Sequence, residues 1–309
     1  MNFTLRFYFF MSLLCSQFFL QGYKPAGNAN QKKSSLTPVG LLCEHRTSPM
    51  GIDVANPQLE WTLQPASPSL RGLTQTAYQV IVASSPEALK KNEGDLWNSG
   101  KVLSDQTTRI IYKGKPLSSH QQAWWKVRVW DGDGVISSWS HRFQWTMGIL
   151  QKQDWSGARW IGAPERLDSA VNSTVLLRRD FGVKPGLRRA VVSICGLGQY
   201  EMTLNGKQLT ETLLNPGWTQ YDKTCLYDTY DITTLLNSGE NAVGLLLSNG
   251  MYRVKKGGRY AKFEHSFGRL QAIAKMRLEY KDGTVQTLVT DATWKAGESP
   301  MTWSSIYGG

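Results

Sequence analysis

The stretch "QQAWWKVRVWDGDGVISSWS", residues 121–140, decides the fold class. Trp125, Val127 and Val129 fall on alternate positions, so an extended backbone places all three on one face. The "DGDG" run at residues 131–134 supplies turn residues, and the strand rhythm resumes beyond it. Trp125 is therefore expected inside a core, while Trp124 and Trp130 fall on the opposite face. The stretch "AYQVIVASS", residues 77–85, repeats the pattern with Tyr78, Val80 and Val82 on one side. Around these strands lie clusters of Pro, Gly, Asn and Ser, and one short helical stretch, "SPEALKKN" at residues 85–92. Short strands, short loops and little helix predict a β-sandwich over residues 38–148.

Further along, "TVLLRRDFGV" (residues 174–183) reads as a strand, and "RRAVVSICGLGQYEMTLNGKQL" (residues 188–209) as two more. Asn205-Gly206 marks a two-residue hairpin, because a type I′ turn needs positive φ at both central positions. Residues 242–247 read as a buried strand, and "RLQAIAKMRLEYKDGTVQTLVTD" (residues 269–291) as a hairpin turning at Asp282-Gly283. Longer crossing loops between these strands predict a second sandwich, of jelly-roll type, over residues 175–309. Residues 149–174, with "DWSGARWIGAP", form the linker and bridging segment.

Both ends have their own reading. In "MNFTLRFYFFMSLLCSQFFLQGYKPAG" one Arg precedes an apolar run too short to span a membrane, which predicts a signal peptide over residues 1–26. Residues 27–37 read as a disordered lead-in. Leu13-Leu14 before Cys15 are a poor match to a lipid-anchoring signal. The final "WSSIYGG", residues 303–309, has the apolar spacing of a strand rather than of a frayed terminus, so one or more C-terminal strands of the jelly roll are expected to be missing.

The formal net charge of +11 would suit anionic partners, but Lys and Arg are scattered, and the cluster "RVKKGGRYAKFEH" (residues 253–265) reads as a solvated, Gly-hinged loop. No nucleic-acid motif surrounds it, so no nucleic-acid partner is expected. The sequence has no CxxC, HExxH or His cluster, which leaves a zinc site unsupported. Cys43, Cys195 and Cys225 do not make a disulfide framework. Cys195 and Cys225 either pair, if their strands are neighbours, or pack as buried thiols with Cys43.

Two resemblances sharpen this reading. "WWKVRVWD…SSWS" resembles fibronectin type III-like modules. "LLCEHRTSPMGIDVANPQLEW" (residues 41–61), "GDLWNSGKV" (residues 94–102) and "GLGQYEMTLNGKQLTETLLNPGWTQYDKTCLYDTYDIT" (residues 196–233) resemble, in the family's order, the N-terminal non-catalytic region of bacterial α-L-rhamnosidases. One departure is Met251 in "SNGMY", where the family often has Trp. The resemblance implies a jelly-roll carbohydrate-binding-like domain, a rhamnose-containing glycan as partner, and a separate (α/α)6 barrel holding the catalytic carboxylates. Glycoside hydrolysis needs two placed carboxyl groups. Asp131, Asp133, Asp228, Asp231 and Asp282 sit in turns, so no catalytic residue is expected in this chain.

The expected function is that of an accessory N-terminal part of a secreted rhamnosidase, with rhamnose binding as the activity to test. The alternative is a stand-alone secreted rhamnose-binding lectin. Candidate sugar ligands are Glu201, Asn205, Asn215 and Asn249 with Trp218, Tyr221 and Tyr252, several of them gathered in "NPGWTQYD". The resemblance requires no cofactor but admits Ca²⁺ at the sugar site. Signal peptide and family together imply a secreted, periplasmic or cell-surface protein without a transmembrane span after signal cleavage.

Overall fold

The computed structural model describes residues 32–164, 174–209, 211–254, 265–301 and 303–306. The expected signal peptide, residues 255–264 of the basic cluster and the last three residues lie outside the described residues. Among the described residues no helix is long and apolar enough to cross a membrane.

The first sandwich contains β1 (Leu36–Cys43), β2 (Gln58–Pro65), β3 (Gln75–Ala83), α1 (Pro86–Lys90), β4 (Trp97–Asn98), β5 (Val102–Leu103), β6 (Ile110–Ile111), β7 (Gln122–Asp131) and β8 (Phe143–Thr146). One sheet has the order β1-β2-β6 and the other β4-β3-β7-β8, with β5 also paired to β3. Along β7 the alternation puts Ala123, Trp125, Val127 and Val129 in the core with Trp61, Tyr112 and Trp145. The indole N–H of Trp61 donates to Gln75 Oε1 (3.1 Å), whose amide in turn donates to the carbonyls of Ser104 and Gln106. That chain lets a polar side chain be buried with its partners satisfied.

The opposite face of β3 is covered by α1. Ser85 caps the helix by accepting from the Ala88 N–H (3.1 Å), and Pro86 starts it with a preset φ. Leu89 packs on Ile81 and Ala83 beside Trp124 and Trp139. Trp130 carries Lys101 over its ring (4.7 Å), and Trp139 carries Arg128 (4.6 Å). The outward faces of Trp130 and Trp139 are thus occupied by cations rather than left free for sugar. The "DGDG" turn has a long-range task as well. Asp131 accepts from Ser34, Ser35, Asp133 and Val135, which ties the start of β1 to the end of β7. Burial alone would raise its carboxyl, but the hydrogen bonds from Ser35, Val135 and Ser34 hold it below the usual carboxylate range.

The second sandwich contains β9 (Val175–Val183), β10 (Leu187–Leu197), β11 (Gln199–Leu204), β12 (Lys207–Gln208), β13 (Asp228–Asp231), β14 (Gly239–Ser248), β15 (Arg253–Val254), β16 (His265–Ser266), β17 (Gln271–Tyr280), β18 (Val285–Val289) and β19 (Lys295–Glu298). One sheet runs β13-β10-β17-β18 and the other β12-β11-β14-β9-β19, while β15 and β16 pair apart. The chain changes sheet from β9 to β10, from β10 to β11 and from β13 to β14, as a jelly roll does. Gly198 makes the second of these crossings at φ +115°, and a Cβ there would run into the Ser248 carbonyl and Leu270. The Asn205-Gly206 hairpin has positive φ at both residues, 52° and 78°. Met202, Leu204, Val243, Leu245 and Leu247 from one sheet meet Val192, Ile194, Met276 and Leu278 from the other.

β10 departs from simple alternation, being buried from Arg189 through Gly196. Its inner residues fill the sandwich, and its outer face is covered by the first sandwich and the linker. Buried His120 shares a hydrogen bond with Ser193 (3.0 Å), and Arg189 donates to the His120 carbonyl (2.9 Å). Tyr227 accepts from the Ile149 N–H (2.7 Å), and Lys275 donates to the Asp154 carbonyl (2.6 Å). The two sandwiches and the linker between them therefore meet through a polar seam. Cys195 and Cys225 lie on this side in one cleft, as free thiols, and burial pushes Cys195 up to about 12.

Candidate functional site

The outer face of the five-stranded sheet presents a shallow recess. Its floor follows from strand register. Glu201 on β11 stands opposite Leu246 on β14, and Leu246 opposite Leu176 on β9. Their neighbours in sequence point inward, so Glu201, Leu246 and Leu176 share the outward side. One row further, Gln199 faces Ser248.

Two segments raise walls around this floor. The loop after β12 contributes Leu213 and Leu214, which are 70% and 65% exposed. Residues 299–301 and 303–306 lie on the other side as a strap bearing Met301, Trp303, Ser304 and Ile306. The strap is not a strand, contrary to the expectation from its apolar spacing; residues 303–306 have no ladder partner among the described residues. Side chains stitch it down instead. Thr174 Oγ1 donates to the Met301 carbonyl (3.2 Å), and Asn249 Nδ2 donates to that of Ser304 (2.9 Å). The recess has a volume of about 420 Å³.

The predicted ligands take different places. Glu201 lies on the recess floor, exposed. Asn249 sits under the strap, 2% exposed, and its buried Oδ1 has no hydrogen-bond partner among the described residues. Asn205 is consumed by its own turn: its amide donates to the Leu235 carbonyl and Asn241 Oδ1, and its oxygen accepts from the Ala242 N–H. Asn215 precedes a cis peptide to Pro216, its carbonyl accepts from the Tyr200 N–H (2.8 Å), and its amide donates to the Thr212 carbonyl. Trp218 stands 65% exposed on the loop, outside the recess lining. Tyr221 and Tyr252 meet edge to face at 5.2 Å, and Phe267 stacks on Tyr252. Tyr252 is buried in that cluster, so its ring face is not offered to solvent.

Trp303, 43% exposed on the recess wall, is the aromatic that sequence reasoning assigned to a strand instead of a site. The combination of one carboxylate, several amide and hydroxyl groups and one half-open indole suits a polyol with an apolar face. It suits a calcium ion less well. Calcium takes six to eight oxygens, usually with several carboxylates. Glu201 is the one carboxylate among the described lining residues, and no three of His, Cys, Asp and Glu converge among the described residues.

The different role of Asn205 can be measured. Asn205→Ala removes three hydrogen bonds and places Ala at φ 52°, so it is expected to cost about 2 kcal/mol of stability. The urea midpoint should fall while ligand affinity of the folded fraction stays unchanged. A loss of affinity with an unaltered midpoint would return Asn205 to the list of ligand contacts.

Comparison with known proteins adds a lineage to this geometry. Residues 186–309 match the family model described as the alpha-L-rhamnosidase N-terminal domain, and residues 38–151 match the Rha78A-like, N-terminal immunoglobulin domain. An alpha-L-rhamnosidase of Formosa agariphila is 33% identical over 291 residues, covering 87% of this chain and 30% of that protein. One from Alteromonas sp. is 34% identical, over 91% of this chain and 30% of the relative. The chain thus spans about 30% of the length of these curated relatives. Among solved structures, the alpha-L-rhamnosidase from Dictyoglumus thermophilum superposes with a TM-score of 0.77 at 34% identity, over 88% of this chain and 31% of that one. The Streptomyces avermitilis enzyme, solved with L-rhamnose, has a TM-score of 0.79 at 22% identity, over 88% and 42%, and shows the shared fold.

Proposed function

The chain belongs to the α-L-rhamnosidase family through these two N-terminal domains, and we propose that it is the accessory part of a secreted rhamnosidase, holding rhamnose-containing glycan in the recess of its second sandwich. The single observation behind the sugar-binding part is the register that sets Glu201 beside Leu246 on a floor walled by Trp303. L-Rhamnose carries a methyl group where most hexoses carry a hydroxymethyl. An indole wall with Leu213, Leu214 and Met301 gives that methyl and the ring C–H face an apolar seat. Glu201, Gln199 and Ser304 would take the hydroxyls as charge-assisted and neutral hydrogen bonds. Bond cleavage is assigned to the polypeptide that the longer relatives carry beyond the matched region, and the polar seam between sandwiches would brace it. A self-sufficient lectin would bind the same sugar, but it does not account for the matching first sandwich.

Calorimetric titration of the full chain with methyl α-L-rhamnoside tests the reading. Saturable binding is expected, with Glu201→Ala and Trp303→Ala each weakening it by about tenfold, or 1.4 kcal/mol. An aryl rhamnoside incubated with the same preparation should not be cleaved. No saturable heat with the folded wild-type chain would refute the sugar-binding part and leave bracing alone, and turnover of the aryl rhamnoside would refute the accessory reading.

A further inference from the structure

A second recess, of about 200 Å³, opens at the seam between the sandwiches, away from the sugar recess. Its wall from the second sandwich carries Arg188, Arg189, Arg277 and Glu279. Register explains the grouping: Arg189 on β10 pairs with Glu279 on β17, and Arg277 shares Glu279's outward side two residues away. The Glu279 carboxylate is divided among all three guanidiniums, at 2.6 Å from Arg188, 3.4 Å from Arg189 and 3.0 Å from Arg277. It is the one carboxylate among the described lining residues, so the recess itself keeps an excess of two positive charges.

One donor there is conspicuously unused. The Arg189 side chain is more than nine-tenths buried, and its buried Nε–H has no hydrogen-bond partner among the described residues. A buried, charged donor left unpaired costs free energy, and an unaccounted ion is a standard reason for finding one. On the facing wall, Ser118, Ser119 and Gln122 are neutral and already donate to Gln121, Asp154 and Gln144, and half-buried Trp124 adds an aromatic surface. Gln122, Trp124, Arg188 and Arg189 also line an adjoining cavity, so the recess continues as a groove. That groove includes the carboxylates of Glu87 and Asp231, and Asp231 is already occupied by Thr233 through its N–H and hydroxyl.

We propose that this recess is an oxoanion site, in which Arg188, Arg189 and Arg277 take a carboxylate or sulfate group, carried by an acidic saccharide lying against Trp124 or free in solution. Planar guanidiniums match such groups with paired N–H donors, and a ring face beside them fits a saccharide carrier. The overall charge of +11 favours encounter with polyanionic glycans. The site is independent of the rhamnoside reading, because none of its lining residues lines the sugar recess.

The test titrates the full chain with sodium sulfate, with glucuronate and with glucose, all at constant ionic strength set by sodium chloride. Sulfate and glucuronate are expected to bind saturably and to compete, while glucose does not bind there. Arg188→Ala and Arg277→Gln should each weaken both anions by about tenfold, whereas Glu201→Ala should leave them unchanged. Arg188 and Arg277 are the more exposed of the three, and an unshifted thermal midpoint verifies that each variant folds. Sulfate binding without glucuronate binding would keep the oxoanion site and overturn its saccharide carrier. No saturable binding of either anion, or binding that survives both substitutions, overturns the site itself.

Discussion

Trp125→Ala is expected to remove about 3–5 kcal/mol from the stability of the first sandwich, the usual range for emptying a buried Trp position. Trp125 is fully buried, stands in register with Val82 on β3 and Phe143 on β8, and lies in the same core as Trp61 and Trp145. Truncation would leave a cavity that strands bonded on both sides cannot collapse to fill. Because domains of this kind hold only about 5–15 kcal/mol in total, the loss should be visible as a large drop in the denaturant midpoint. The neighbouring Trp124 provides the internal comparison. It points the other way, half-buried over Ile81, Ala83 and Leu89, so Trp124→Ala should cost about 1 kcal/mol. Equal losses at the two positions would mean that the core does not lie on the Trp125 side.

That pair also shows what is legible in the sequence and what is not. Strand alternation is a local property, and it correctly places Trp125, Val127, Val129, Tyr78, Val80 and Val82 in one core. Hairpin and cap chemistry is local too, and it predicts the Asn205-Gly206 turn and the helix after Ser85. Long-range partners leave no such trace. Asn249 looks like a sugar ligand in isolation, yet it holds a strap 55 residues further on. The spacing of Trp303 resembles a strand because a strap lying on an apolar sheet face needs apolar residues as well. Arg189 and Glu279 are 90 residues apart, and only the β10–β17 register joins them. One signal did exist: "AVVSIC" is apolar almost without alternation, which marks a strand covered on both faces. The second cover, supplied by the first sandwich, could not be identified from that run alone.

Acidification is expected to loosen the joint between the sandwiches, through His120. The imidazole is 3% exposed, bonded to Ser193, and its basicity is pushed down to about 4 from an ordinary 6.5. Burial is the main cause, followed by the positive charges of Arg277, Arg189 and Lys275, against which Asp154 pulls in the other direction. The folded value lies below the unfolded one, so between pH 6.5 and about 4 the unfolded chain binds more protons. Stability must then rise with pH through that window and fall as acid is added. The full difference amounts to a loss on the order of 3 kcal/mol, complete once the pH is below the folded value. Other groups titrate in the same range, so the informative quantity is the difference between wild type and His120→Gln, which has no proton to take up. Urea midpoints should fall more steeply with acid in the wild type, and the two curves should converge toward about pH 4. Parallel curves would mean that His120 is hydrated or already charged in the folded state. The location makes the effect more than a stability term. The protonated ring would sit against Arg189 and Arg277 in the seam that joins the two domains, so like-charge repulsion would act on their packing before either core melts.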